Sequence, residues 1–114
     1  MSEFREEFGL RLRAARLALG LTQKALAARI GVSEQSVRRY ESAEREMALE
    51  GLANFMVATG IPASWLLLGC IKSLPPTLQV YFSQEVPDLI RDLPPKALTA
   101  HPATQLFGVK LPRK

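Results

Sequence analysis

The chain has 114 residues, 47% of them hydrophobic and 23% charged, with a formal net charge of +4. That is the size of one domain with room for an appendage. The single cysteine, Cys70, excludes an internal disulfide framework and reads as a small buried hydrophobe in a reducing cytosol. The longest apolar run, Ile61 to Ile71, is interrupted by Ser64 and falls far short of the roughly 20 residues of a membrane span. The N-terminus is charged and has no apolar signal core, so a cytoplasmic protein without a membrane partner is expected.

Helical periodicity starts at once. Phe4, Phe8, Leu12, Ala15 and Leu19 share one face, with Ser2 as N-cap and Gly20 as stop. A second segment opens at the capping residue Thr22, turns Leu26, Ala27 and Ile30 inward, and stops at Gly31. A third begins at Ser33, keeps Val37 inward and runs to about Glu41. A fourth carries Leu49, Leu52, Ala53 and Met56 and stops at Gly60. A fifth spans Pro62 to Leu68 ahead of Gly69. Each is too short to be stable alone, so the pattern predicts an all-α domain of five helices stabilised by mutual packing. Trp65, Met47 and Met56 are expected in its core.

The composition changes near residue 74, beyond which lie seven of the eight prolines. Proline fixes φ and removes a donor, so no long uninterrupted helix is expected there. The reading is a helical domain over 1–72 and a Pro-rich C-terminal extension over 73–114, irregular from Pro94 onward. In the extension Val80, Tyr81 and Phe82 have strand propensity, and Leu89 with Ile90 forms a second apolar patch. The extension could pack on its own domain, associate with another copy, or bind a separate regulator. Self-association is favoured, through Trp65, Leu68, Val80, Tyr81, Phe82, Leu89 and Ile90.

Charge is unevenly placed. From Gly9 to Tyr40 there are seven cations (Arg11, Arg13, Arg16, Lys24, Arg29, Arg38 and Arg39) against Glu34 alone, a local charge of +6. Residues 41–50 then hold four glutamates against one arginine. A basic stripe beside an acidic flank suits a polyanion contacted on one face. Arg11 and Arg13 flank the first helix, with Arg13 able to reach a nucleic-acid backbone. Residues 22–41 form two helices joined at Gly31-Val32-Ser33. Gly31 can take the left-handed conformation of such a turn, and Ala27 is small where the helices approach. The third helix exposes Glu34, Gln35, Arg38 and Arg39, long hydrogen-bonding side chains suited to base edges in the major groove of double-stranded DNA.

Nothing points to an enzyme, a cofactor or a metal. His101 is the only histidine and has no acid or cysteine nearby. There is no Gly-rich phosphate loop and no nucleophile motif.

In order and spacing, the chain resembles the lambda-repressor-like, Cro-type helix-turn-helix regulators over about residues 8–69. The resemblance lies in Leu12-Arg13-Ala14-Ala15-Arg16, Gly20-Leu21-Thr22-Gln23, Leu26-Ala27, Gly31-Val32-Ser33, Val37, Tyr40-Glu41 and Trp65-Leu66-Leu67-Leu68-Gly69. It implies a five-helix fold and a regulator, most simply a repressor, that binds a palindromic operator as a dimer or higher homo-oligomer. It also assigns roles. Glu34, Gln35 and Arg38 match base-reading positions, with Arg39 beside them. Gln23 matches a glutamine that touches phosphate and braces a reading side chain. Ser33 caps the reading helix, and Tyr40 and Arg45 fall where backbone contacts are common. Arg13, Thr22, Lys24 and Ser36 are assigned to backbone contact or bracing. Arg16 and Glu41 match a structural ion pair.

The chain departs from the family at Ser42-Ala43, where Asn-Gly is usual, and in the loop Glu44-Arg45-Glu46-Met47-Ala48, where a proline is common. Glu44 and Glu46 would be repelled by phosphate unless they point away. Lys110, Arg113 and Lys114 offer a weak extra contact to DNA. The other class of function is a protein-interaction module, a coactivator-like scaffold or an antitoxin, whose partner is a toxin or an antirepressor.

Overall fold

The computed structural model describes residues 3–91. Among them are six helices: α1 (Glu3–Ala18), α2 (Gln23–Ile30), α3 (Glu34–Glu41), α4 (Leu49–Thr59), α5 (Ala63–Leu68) and α6 (Pro76–Glu85), with a closing 3-10 turn at Pro87–Leu89. The all-α expectation holds, with one helix more. The Ser2 cap, the stretch from Pro94, His101 and the terminal Lys110, Arg113 and Lys114 lie outside the described residues. No helix among the described residues is long and apolar enough to cross a membrane.

The helix ends are set by local chemistry. Thr22 Oγ1 accepts the Ala25 N–H at 3.0 Å, and Ser33 Oγ accepts the Ser36 N–H at 3.0 Å, satisfying donors that a first helical turn leaves free. Between them Gly31 takes φ 76°, a left-handed conformation that costs glycine little.

The core forms around α1. Leu12 and Ala15 share one core with Leu26, Ala27 and Ile30 of α2, Val37 and Tyr40 of α3, Phe55 of α4, and Trp65 and Leu66 of α5. Gly9 lets α1 approach α3 closely: a Cβ there would stand 2.5 Å from the Glu41 carbonyl oxygen and 2.7 Å from that of Tyr40. The Trp65 indole N–H donates to the Arg11 carbonyl at 3.1 Å. Trp65 thus joins the core as expected.

Three expectations need correction. First, Val80, Tyr81 and Phe82 are helical. Pro75 and Pro76 start α6, where proline's fixed φ and missing donor are harmless. Phe82 then stacks on Trp65, ring centroids 4.1 Å apart and planes 11° from parallel. That packing outweighs the strand propensity. Second, Leu74, Phe82 and Leu89 enter the same core as α1–α5, so among the described residues residue 72 does not divide two packing units. Third, α4 is turned away from the expected register. Gly51 and Phe55 are buried, whereas Leu49 is 84% exposed, Val57 88% and Met56 38%. The helix is apolar almost all round, so its sequence does not specify which side faces inward.

Arg11 is a core residue, 2% exposed, and not a flanking charge. Its Nε donates to the Leu89 carbonyl at 2.8 Å, its Nη1 to those of Leu66 and Leu67 at 3.4 Å each, and its Nη2 to Glu7 at 3.0 Å. Burial lowers its pKa, Glu7 opposes the shift and Arg91 adds to it. A buried cation needs such acceptors. Around it, Arg91 pairs with Glu7 at 2.7 Å and donates its backbone N–H to the Gly69 carbonyl at 3.1 Å. A Cβ on Gly69 would collide with the Leu89 carbonyl. The C-terminal end of the described chain is thus latched onto α1 and α5.

Candidate nucleic-acid interface

α3 is amphipathic. Val37, Tyr40 and Glu41 face inward, while Glu34, Gln35, Arg38 and Arg39 form one exposed face. Among the described residues, no hydrogen bond or ion pair ties down any of these four side chains. They are therefore free to meet a ligand. α3 is 8 residues long, about 12 Å, and so presents a short rigid ridge.

The inner end of α3 is locked. Arg16 Nε and Nη2 donate to the two Glu41 carboxylate oxygens at 2.6 and 3.1 Å, and Arg16 Nη1 donates to the Leu21 carbonyl at 2.9 Å. Gln23 Nε2 donates to Glu41 at 3.1 Å. One carboxylate therefore joins α1, the start of α2 and the end of α3. Gln23 thus braces Glu41.

Thr22 and Lys24 are exposed at the start of α2, and Arg13 on α1 is exposed as well. Ser33 and the half-buried Ser36 stand at the start of α3, where Arg45 Nη1 approaches Ser36 Oγ at 3.5 Å. That brings a cation to the positive end of a helix, a combination that attracts anions. Tyr40 is only 5% exposed, so its ring belongs to the core, at the floor of the groove that Ser33, Ser36 and Arg45 line. Of the seven cations between residues 9 and 40, Arg11 and Arg16 face inward, leaving Arg13, Lys24, Arg29, Arg38 and Arg39 for the surface.

The loop after α3 keeps a left-handed residue where the family has glycine. Ala43 takes φ 68° and is buried, a conformation that costs an L-residue about 1–2 kcal/mol. Glu46 pairs with Arg5 at 3.5 Å, and Glu44 accepts from Ser42 Oγ at 2.9 Å, so both acids have partners within the chain.

Of the residues assigned to self-association, Trp65, Phe82 and Leu89 lie inside the chain's own core, and Tyr81 and Ile90 are half-buried against it. Leu68 and Val80 remain exposed, at 47% and 55%. The sequence reading missed Arg11 and Gly9. A glycine in mid-helix was the signal for Gly9, and Arg11's place on the buried face, three residues after Phe8 and four before Ala15, was the signal for Arg11.

The helix-turn-helix family model matches residues 12–66. The restriction-modification controller protein C.AhdI from Aeromonas hydrophila is 33% identical, with 54% of this chain and 92% of that one covered and a TM-score of 0.51. The P22 c2 repressor, solved with synthetic operator 9T, is also 33% identical, over 55% of this chain and 96% of that one, with a TM-score of 0.52. The clp gene regulator ClgR from Corynebacterium glutamicum is 29% identical, over 69% of this chain and 82% of that one, with a TM-score of 0.56. No curated protein sequence matches the chain. On the matched helices, the turn and these likenesses together, the chain belongs to the helix-turn-helix family of lambda-repressor and Cro-type transcriptional regulators.

Proposed function

We propose that the chain is a repressor that reads a palindromic operator in double-stranded DNA, placing α3 of each copy in a major groove. The carrying observation is the untethered polar face of α3 above a locked base. A major groove about 12 Å wide admits such a helix. Arg38 is suited to the O6 and N7 of guanine, Gln35 to the N6 and N7 of adenine, and Glu34 to the N4 of cytosine. Arg39 extends this reading face, and Arg13, Lys24 and Arg45 are assigned to phosphates, with Thr22, Ser33 and Ser36 orienting the helix starts. The likeness to an operator-bound repressor supports DNA as the partner. One short helix makes few contacts, and half-sites lie about 34 Å apart, so the reading requires two copies.

Selection of bound duplexes from a random pool tests this. An enriched sequence with two-fold symmetry is expected. Arg38→Ala should weaken binding to it by about 1–3 kcal/mol and relax preference at one position in each half-site. Gln35→Ala should relax a different position. An equal loss on all sequences would move Arg38 to phosphate. If no sequence is enriched, the chain is a protein-interaction module instead; if both variants bind the enriched sequence like the parent, α3 is not the reading helix.

A further inference from the structure

A cleft of about 220 Å³ opens between the first turns of α1, the α3–α4 loop, the start of α4 and the end of α5. Phe4, Phe8, Met47, Leu49, Leu52 and Leu67 make it apolar, and Arg5, Arg45 and Glu46 supply its charged side chains. Phe8, Met47 and Leu52 also pack against the core, so the fold holds the walls in place. An apolar cavity of about 150 Å³ takes up benzene. This cleft therefore has room for a ring and a short chain. It is too small for a partner helix, one turn of which fills roughly 400 Å³.

The charges of the cleft do not cancel. Glu46 pairs with Arg5 at 3.5 Å, and Glu44, next to Arg45 in the loop, accepts from Ser42 Oγ at 2.9 Å. Among the described residues Arg45 has no acid against it, and its hydrogen bond to Ser36 Oγ is a long one at 3.5 Å. The result is an apolar hollow with one unbalanced positive charge. An occupant with an apolar body and a single negative charge complements both features. A carboxylate does so best, because it accepts two parallel hydrogen bonds from one guanidinium.

Arg45 also lines a second site, the groove at the start of α3 that holds Ser33, Ser36 and Tyr40. One side chain therefore serves two neighbouring hollows. We propose that the cleft binds a small apolar monocarboxylate, and that the bound acid draws Arg45 out of the groove beside α3. The regulatory half rests on the reading of Arg45 as a phosphate contact; the binding half does not. A guanidinium paired with a carboxylate has no net charge left for phosphate. The acid would thus act as an inducer that loosens the chain from DNA.

Titration calorimetry on the full chain, without DNA, tests the binding half with phenylpropionate, phenylpropanol and phenylpropylamine as probes. The acid should bind with a Kd of roughly 10 µM to 1 mM, and about tenfold more tightly than the alcohol or the amine. Arg45→Gln should bring acid and alcohol to the same affinity. Glu46→Gln should tighten the acid roughly threefold and leave the alcohol unchanged, because a repelling charge is removed. Phe4→Ala should weaken both alike. All three side chains are exposed, so helix content should not change. An acid that binds no better than its alcohol, or an Arg45→Gln chain that still prefers the acid, would overturn the proposal. DNA binding over a salt series tests the regulatory half. Against acetate at the same concentration, saturating phenylpropionate should weaken every duplex by one factor, roughly five- to tenfold, and lower the salt slope by about one. On Arg45→Gln it should do neither. An acid that binds the chain and leaves DNA affinity and slope unchanged overturns the inducer role. If no duplex binds at all, the proposed function falls, and calorimetry still decides the site.

Discussion

Glu41 is where α1, α2 and α3 meet. Its carboxylate takes three donors, two from Arg16 and one from Gln23, and is almost wholly buried. Removing one member of such a set leaves a buried charge uncompensated, at about 3–5 kcal/mol. Thermal unfolding should show Glu41→Ala melting well below Glu44→Ala, since Glu44 is exposed and holds only Ser42. Equal small shifts would mean that solvent replaces Arg16 and Gln23 without loss. The Arg16–Glu41 pair was legible in the sequence through the family pattern. Arg11 was not. Apart from Glu7, its partners are backbone carbonyls of Leu66, Leu67 and Leu89, as many as 78 residues away, and a carbonyl leaves no mark in a sequence.

At the scale of elements, Gly9 and Gly51 make opposite predictions. Both are helical glycines, and alanine improves helix propensity by about 1 kcal/mol at such a site. At Gly9 the new methyl would meet the Glu41 and Tyr40 carbonyls at 2.5 and 2.7 Å. Backbone cannot swing aside, so α1 must lift from α3, which costs about 1–3 kcal/mol or more beyond the propensity gain. At Gly51 the nearest atom is Met47 Cγ at 3.3 Å, on a flexible side chain. Gly51→Ala should hold or raise the melting temperature, and Gly9→Ala should lower it. If both rise, the α1–α3 contact yields more easily than its geometry implies. Helix starts and stops were legible, because Thr22, Gly31 and Ser33 act on their own neighbours. α6 was not. Its Val-Tyr-Phe run favours a strand locally, and only Trp65, far away in sequence, decides otherwise. The inward side of α4 was hidden for another reason: a helix apolar almost all round carries a weak register.

For the molecule as a whole, the segment after residue 72 completes the fold. A chain ending at Lys72 would lose Leu74, Phe82 and Leu89 from the core, uncover one face of Trp65 and deprive Arg11 of its shortest hydrogen bond. Losing a buried Phe side chain alone costs about 3–5 kcal/mol, a large share of the 5–15 kcal/mol that holds a typical domain. The truncated chain should melt roughly 10 °C or more below the parent, as followed by circular dichroism. An unchanged midpoint would show that α1–α5 stand alone.

The Arg11–Leu89 bond spans 78 residues, and that separation acts in time as well as in space. α2 and α3 are neighbours in the chain and can pair as soon as both are made, since short loops close fast. The guanidinium of α1, synthesised earlier, must stay in water until Leu89 arrives. An interrupted chain would therefore carry α2 and α3 without that closure, with Trp65 open to proteases. Only chains made past Leu89 would carry a closed core.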